Sequence, residues 1–316
     1  MAINADKPHL WKKDIARSVD LFNNWFMRFA PKAYRDTRAE TTRHVEDALR
    51  ITNDLRSITV EVLKKDPGIL PTLRMSACPP LARDRLIGLA YVGKNLVNVM
   101  ERGKLPVRMA ASELDEDLKR IAAMLKRMLD EDIFPWLAGK KPITEQARRR
   151  AATIVADRLC GAVSDPIIRN AQEKRQLACM ARYLRTKGYR HKPHPTSDSI
   201  TEMLPGTFTF RMNVVVGDAR KVNIPVDLVL QPKLPRPNRV PILIEAKSAG
   251  DFTNVNKRRK EEATKIRQLR ATYGEDTQFV LFLCGYFDSG YLGYEAAEGI
   301  DWVWEHRIED TDRLGI

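Results

Sequence analysis
The sequence predicts a mixed fold: an all-helical region over residues 1–140, then, over 141–316, an α/β core in the order helix, strand, strand, strand, helix, strand (αβββαβ). Two observations carry that division. Apolar residues recur at helical spacing through the first region, with proline and glycine between the segments. In the second, runs of branched aliphatics follow one another between turn signals, as strands do.

The helical segments expected are Asp14 to Phe29, Thr37 to Lys65, Pro79 to Arg102 and Ser112 to Leu137. They are separated at Pro31, Pro67-Gly68, Pro79-Pro80 and Gly103 to Pro106, and the stretch Gly139-Lys140-Lys141-Pro142 is the expected domain boundary. A helix over Thr144 to Cys160 can pack with either side of it. Asp165-Pro166 then reads as the start of the first core helix, with Asp165 as N-cap and Pro166 at the first helical position. Gly188 closes that helix. Thr207 to Val216, followed by Gly217-Asp218, reads as a strand entering a hairpin. Asn223 to Leu230 and Ile242 to Lys247 are the next two strands, Asn254 to Tyr273 is helical in pattern, and Gln278 to Phe287 is an apolar strand. Trp302 and Trp304 alternate with Val303 and Glu305 in a final strand, as core or dimer-contact residues.

The chemistry sits in the third strand. In Ile242-Leu243-Ile244-Glu245-Ala246-Lys247, strand alternation sends Glu245 and Lys247 to one face, expected to be charged, and Ile244 and Ala246 to the other, expected to be buried. Asp227 lies in the preceding apolar run, where a charge is costly unless it pairs or binds a metal. Two neighbouring carboxylates raise each other's pKa, and a divalent cation relieves both problems. Mg²⁺ takes oxygen ligands and keeps waters, so Asp227, Glu245 and the Ala246 carbonyl form a candidate metal site, with Lys247 beside it to orient or deprotonate water. The alternative is a partly buried Glu245–Lys247 ion pair. Spacing alone does not decide, since Asp117-Leu118-Lys119 has the same spacing. That copy lies where Leu114, Leu118, Ile121, Leu125 and Leu129 recur at helical intervals, so its two charges diverge.

Together these residues resemble the PD-(D/E)XK nuclease superfamily over the last 150 or so positions, with Asp227, Glu245 and Lys247 at its three signature positions. The usual Pro-Asp pair here carries one inserted residue, as Pro225-Val226-Asp227. Asp218 and Asp251 are fallback acids, each otherwise a turn residue. The superfamily's first core helix often lends a further acid, and Glu173 is the candidate; otherwise it is a solvated helical glutamate.

The first region narrows the resemblance. Leu21-Phe22-Asn23-Asn24-Trp25-Phe26, Phe29-Ala30-Pro31, Leu73-Arg74-Met75 and Pro79-Pro80-Leu81-Ala82-Arg83-Asp84-Arg85-Leu86-Ile87-Gly88-Leu89 are similar to blocks of the XamI-type restriction endonucleases. That resemblance implies a bacterial Type II enzyme cutting duplex DNA at a short palindrome, GTCGAC for the namesake. It also implies Mg²⁺, with Mn²⁺ as a substitute, and a protecting methyltransferase. A palindromic target favours a two-fold homodimer, and residues 1–140 are candidates for DNA recognition or dimerisation.

Charge agrees with a polyanionic partner: 54 Lys and Arg against 41 Asp and Glu give a net +13 and a pI of about 9.6. The stretch from Arg182 to Lys192 carries five basic residues and no acid. Arg185, Lys187, Arg190 and Lys192 in it are candidate phosphate contacts, as are Lys257, Arg258, Arg259 and Lys260 at the start of the next helix. Each cluster otherwise reads as a solvated basic face. Arg83 and Arg85 are either DNA contacts or part of a helix start with an internal ion pair.

Cys78, Cys160, Cys179 and Cys284 lack paired metal-site spacing and are expected to be buried thiols. His191 and His194 flank Pro193 and form no nucleophile arrangement. No glycine-rich phosphate loop points to ATP. No run is apolar and long enough to cross a membrane, and Asp6, Lys7, Lys12, Lys13 and Asp14 break up any secretory signal, so a cytoplasmic location is expected. A DNA repair or junction nuclease of the same superfamily and a non-catalytic DNA-binding protein are the alternatives.

Overall fold
Two helices of 44 and 42 residues, α1 (Pro8–Ile51) and α7 (Glu145–Thr186), run uninterrupted through Pro31 and Pro166. The expected helix start at Asp165-Pro166 is therefore corrected: both residues lie inside α7. A proline in mid-helix forfeits one i→i−4 hydrogen bond without ending the helix when the residues on both sides keep helical geometry, and Asp-Pro then needs no capping role. The computed structural model describes every residue except 1, 140–141, 196–198, 218–220, 235–239 and 253–254, together with the side chains of 255–259. Asp218 and part of the expected 139–142 boundary lie outside the described residues.

The chain forms two compact units, one of Met1–Phe29 with Ile168–Ile316 and one of Ala30–Ile167. This partition differs from a single cut at 139–142, because both passages from one unit to the other fall inside the long helices.

Among its described residues the unit 30–167 is built of helices, with one isolated bridge between Ala77 and Leu129. After α1 come α2 (Val60–Lys65), a 3₁₀ turn (Pro67–Ile69), α3 (Leu70–Met75), α4 (Arg83–Ala90), α5 (Lys94–Met100) and α6 (Ala111–Met128). The expected 37–65 helix is split because Asn53, Asp54 and Leu55 all take left-handed backbone, and Thr59 caps α2 by accepting the Val62 N–H. The expected 79–102 helix is split at Tyr91, a left-handed C-cap. The expected 112–137 helix ends at Met128. Buried Leu49, Leu63, Leu73, Leu86, Leu96, Leu118, Leu125 and Phe134 form the core. Arg74 is buried with them, donating 2.7 Å hydrogen bonds to both Glu101 carboxylate oxygens and a third to the Leu81 carbonyl. The Leu73-Arg74-Met75 block thus holds this core together. Asp117-Leu118-Lys119 lies on α6, where Asp117 pairs with Arg120 and Lys119 with Glu116.

Among the described residues, the other unit holds a six-stranded sheet whose strands are ordered as in the chain. They are β1 (Arg190–His191), β2 (Thr207–Val216), β3 (Val222–Gln231), β4 (Ile242–Ala249), β5 (Phe279–Gly285) and β6 (Asp301–Trp304). The β2–β3–β4 pairs are antiparallel, and β1–β2, β4–β5 and β5–β6 are parallel. With the end of α7 before β2 and helix α8 (Val255–Tyr273) between β4 and β5, the order αβββαβ is present; β1, α9 (Ser289–Ala297), β6 and a terminal 3₁₀ segment (Glu305–Leu314) add to it. One face of the sheet buries Phe208, Leu228, Ile244 and Phe282 with Leu177, Met180 and Leu184 of α7. The other buries Met212, Val226, Leu243 and Leu281 with Ile266 and Leu269 of α8. Trp302 and Trp304 are fully buried core residues, and Trp302 meets Trp11 of α1 edge-on. Cys160 and Cys284 are buried, Cys179 is half-buried, and Cys78, contrary to expectation, is exposed.

The strands do not alternate regularly. In β2, Phe208 lies on the α7 face but Met212, Val214 and Val216 lie on the α8 face; in β3, Ile224 and Val226 lie on the α8 face but Leu228 and Leu230 on the α7 face. All are even-numbered positions, so each strand exchanges faces once. The exchange falls at Arg211, whose φ is +51°, and at Asp227 opposite it, a position skipped by the β2–β3 ladder.

At the far end of β5, Gly285 has φ +107°, and a Cβ there would lie 2.1 Å from the Ala249 carbonyl oxygen, which accepts the Tyr286 N–H. Gly285→Ala is expected to destabilise the protein by about 3 kcal/mol or more. Urea unfolding checks this, and an unchanged midpoint would contradict it.

Candidate active site
Asp227 stands where the sheet opens. The β3–β4 ladder runs through Leu230–Ile242, Val229–Leu243 and Leu228–Ile244 and then stops. Beyond it, the Asp227 Oδ2 accepts the Ala246 N–H at 2.9 Å, so a side chain takes the place of the missing backbone partner. This brings the carboxylate of β3 to the part of β4 that carries Glu245 and Lys247.

Glu245 and Lys247 share one face of β4 as expected, but that charged face is buried as well as the apolar one. Glu245 is only 6% exposed, because α8 covers its side of the sheet. Charges survive there by pairing. The Lys247 Nζ lies 3.2 Å from Glu245 Oε1 and 2.7 Å from Glu262 Oε1, and the Lys265 Nζ lies 2.7 Å from Glu245 Oε1 and 3.3 Å from the Pro225 carbonyl. Glu262, on α8, is completely buried. Glu245 Oε2 is buried and, among the described residues, makes no hydrogen bond.

Behind β4, Gln176 of α7 donates to the Lys247 and Phe282 carbonyls at 3.3 and 3.2 Å, fixing β4 against β5. Glu173, one turn earlier, is half-buried and pairs with Arg211 at 2.7 Å. It is not a freely solvated glutamate, and its charge reaches Asp227.

The electrostatics follow from this crowding. Burial and then the Glu245 charge push Asp227 up to about 6; the Ala246 N–H and Lys247 oppose the rise, and Glu173 adds to it. For Lys247, burial works to lower the pKa, but the carboxylates of Glu245 and Glu262 outweigh it and hold the ammonium above the usual lysine value. Among the described residues no three His, Cys, Asp or Glu side chains gather around one point as a ready metal cage. The oxygens that meet here are the Asp227 and Glu245 carboxylates and the Pro225 carbonyl, a set suited to a hard divalent cation that retains waters.

A family model described as XamI restriction endonuclease matches residues 53–304. The chain is 58% identical, over 313 residues and 99% of each chain, to the Type II restriction enzyme SalI of Streptomyces albus G. It belongs to the XamI restriction endonuclease family. The crystal structure of protein VC1899 from Vibrio cholerae overlays with a TM-score of 0.28 at 13% identity, covering 90% of this chain and 56% of that one, and carries no inference. As a XamI-family restriction endonuclease, the chain has DNA as its substrate.

The basic residues considered for this family's substrate are placed unevenly. Arg185, Arg190, Lys192 and Lys260 are exposed. Lys187 is held by Asp312 at 2.6 Å and lies over the Tyr183 ring. Lys257, Arg258 and Arg259 are on the first turns of α8, with side chains outside the described residues. Arg83 and Arg85 open α4, exposed, and among the described residues neither has an ion-pair partner. Asp251 is exposed just past β4. His191 meets Phe208 and Phe210 at tilted ring angles, and the His194 ring contacts the Ser199 carbonyl. No described helix is long and apolar enough to cross a membrane.

Sequence reasoning missed Glu262, Lys265 and Gln176. A faint signal existed for the first two: they flank Ala263 and Ile266, buried residues of α8, at a three-residue spacing that shares one helix face.

Asp227 carries a folded-state pKa of about 6 against 3.8 for a free side chain, so the folded protein binds the extra proton and stability is lost as pH rises through this window. In metal-free protein at pH 8, Asp227→Asn is expected to be more stable than the native chain by on the order of 2 kcal/mol, and the difference to vanish below about pH 4. Denaturant unfolding at the two pH values checks this; an Asn variant less stable at pH 8 would contradict it.

Proposed function
We propose that this chain is a Type II restriction endonuclease that cuts both strands of duplex DNA at a short palindrome, GTCGAC, with Mg²⁺ as cofactor and Mn²⁺ as substitute. The observation that carries this reading is the 58% identity to a Type II restriction enzyme across 99% of both chains. The acid pair beside Lys247 at a break in the sheet supports its chemistry and a PD-(D/E)XK assignment for the core. A homodimer follows from a palindromic target, a cognate methyltransferase from the need to protect the host's own sites, and a cytoplasmic location from both. The helical unit is proposed to aid DNA recognition or dimerisation, and the exposed basic residues to contact phosphates.

Asp227, Glu245 and the Ala246 carbonyl would hold the cation. When bound, Mg²⁺ polarises the scissile phosphate and acidifies a coordinated water. Asp227 and Glu245, brought together with one Glu245 oxygen left without a hydrogen bond, have the charge to hold it. Lys247 keeps its proton because two carboxylates face it, so its part is to orient the attacking water and offset charge building on the phosphate. Ion-paired to Arg211, Glu173 sets the charge felt by Asp227 and takes part as a positioning group. Gln176 holds the Lys247 backbone in register with β5.

Plasmid DNA incubated with the protein and Mg²⁺ is expected to give discrete fragments whose ends map to one palindrome, and none with EDTA. A repair or junction nuclease would instead favour branched or nicked DNA, and a non-catalytic binder would leave every substrate intact. Lys247→Ala is expected to lower cleavage at least about a hundredfold while gel-shift binding persists. Cleavage at the native rate would remove Lys247 from the mechanism.

A further inference from the structure
Lys265 is not among the residues that the Asp227, Glu245 and Lys247 pattern picks out, yet its ammonium occupies the heart of the site. It is held by two oxygens, Glu245 Oε1 at 2.7 Å and the Pro225 carbonyl at 3.3 Å. One belongs to a carboxylate that the proposed cation would use, and the other to the strand segment that leads into Asp227. Two oxygens on a cation is what a metal would meet there. The side chain arrives from α8, which also carries Glu262, and Glu262 holds Lys247 at 2.7 Å. Glu245 Oε1 therefore receives two ammoniums while Oε2 receives no hydrogen bond.

Charge explains the arrangement. A buried carboxylate beside a second one is strongly disfavoured without a neighbouring cation. Glu245, Glu262 and Asp227 bring three carboxylates, and Lys247 and Lys265 bring two ammoniums, so with Asp227 ionised the group carries a single negative charge. A divalent ion would turn that to a single positive charge, which a phosphodiester then cancels. Lys247 is engaged by Glu262 as well as Glu245 and has a fixed partner when the ion arrives. Lys265 has no second carboxylate among the described residues, so it is the ammonium that can be released.

We propose that Lys265 is a placeholder for the divalent cation: in the metal-free protein it neutralises Glu245, and on metal binding it gives up Glu245 and turns toward the negative charge of the bound phosphate. This rests on the metal site proposed above. The consequence is that free protein binds the ion weakly and loads it fully only when DNA supplies a new partner for the released ammonium.

The test is Mn²⁺ binding to the full chain without DNA, read from loss of the free-ion electron paramagnetic resonance signal. The native protein is expected to bind, and Glu245→Gln to lose binding. Lys265→Met is expected to bind about tenfold more tightly. Arg267→Met, which removes an exposed charge from the same helix at a residue outside the proposed site, is expected to match the native protein. Lys265→Gln retains a donor for Glu245 and serves if the Met variant does not fold, with the same direction of change. If native protein and Glu245→Gln bind alike, the metal site itself is wrong and the placeholder falls with it. If Glu245→Gln loses binding but the Lys265 variants bind no more tightly than native, or no more tightly than Arg267→Met, the placeholder alone is overturned.

Discussion
The exchange of faces at Arg211 and Asp227 is the constraint on which the site depends. A regular antiparallel pair would keep the backbone of β3 hydrogen-bonded along its length and leave no room for a side chain in the ladder. One left-handed residue in β2 turns the strand over, the pair it forms with β3 is skipped, and the β3–β4 ladder ends one residue away. The Asp227 carboxylate then takes the Ala246 N–H, which places an acid from β3 against β4. A non-glycine residue in this conformation costs on the order of 1 kcal/mol or more. The apolar faces on both sides of the sheet, with Phe208, Leu228 and Phe282 beneath α7 and Met212, Val226 and Leu281 beneath α8, hold it in place.

Bringing carboxylates together inside a protein creates an electrostatic problem that the helices resolve. From α8 come Glu262 and Lys265, and from α7 come Glu173, paired to Arg211, and Gln176 on the Lys247 carbonyl. The site is thus a layered arrangement in which Arg211, Glu245 and Lys247 on the strands each meet an opposite charge on a helix. Asp227 is the least well compensated, with burial and two neighbouring carboxylates against one N–H and one lysine, and this is why its acidity is weakened. An acid in that condition is poised to accept a cation. The same crowding holds the proton on Lys247, which suits the proposed part of orienting water and stabilising charge.

Much of the core was legible locally. The β2 bounds match the expected 207–216 at both ends, because branched aliphatics and Gly217 mark a strand and its turn. Glu245 and Lys247 were separable from Asp117 and Lys119, since the first pair lies among strand residues and the second among helical ones. The segments around Pro31 and Pro166 were misread because a proline between two helical patterns looks the same in sequence whether it starts a helix or lies within one.

By itself the sequence determined the order of the core elements, the strand that carries the acid and lysine, and the resemblance that names the family, because side-chain periodicity and motif spacing are properties of neighbouring residues. Only the tertiary structure decided that Asp227 sits at a break in two ladders, that α8 buries the charged face of β4, and that Glu262 and Lys265 enter the site. Those outcomes depend on which surfaces meet across the sheet. Burial, pairing and the resulting shifts in acidity arise from residues far apart in the chain, and no local pattern encodes the distance between them.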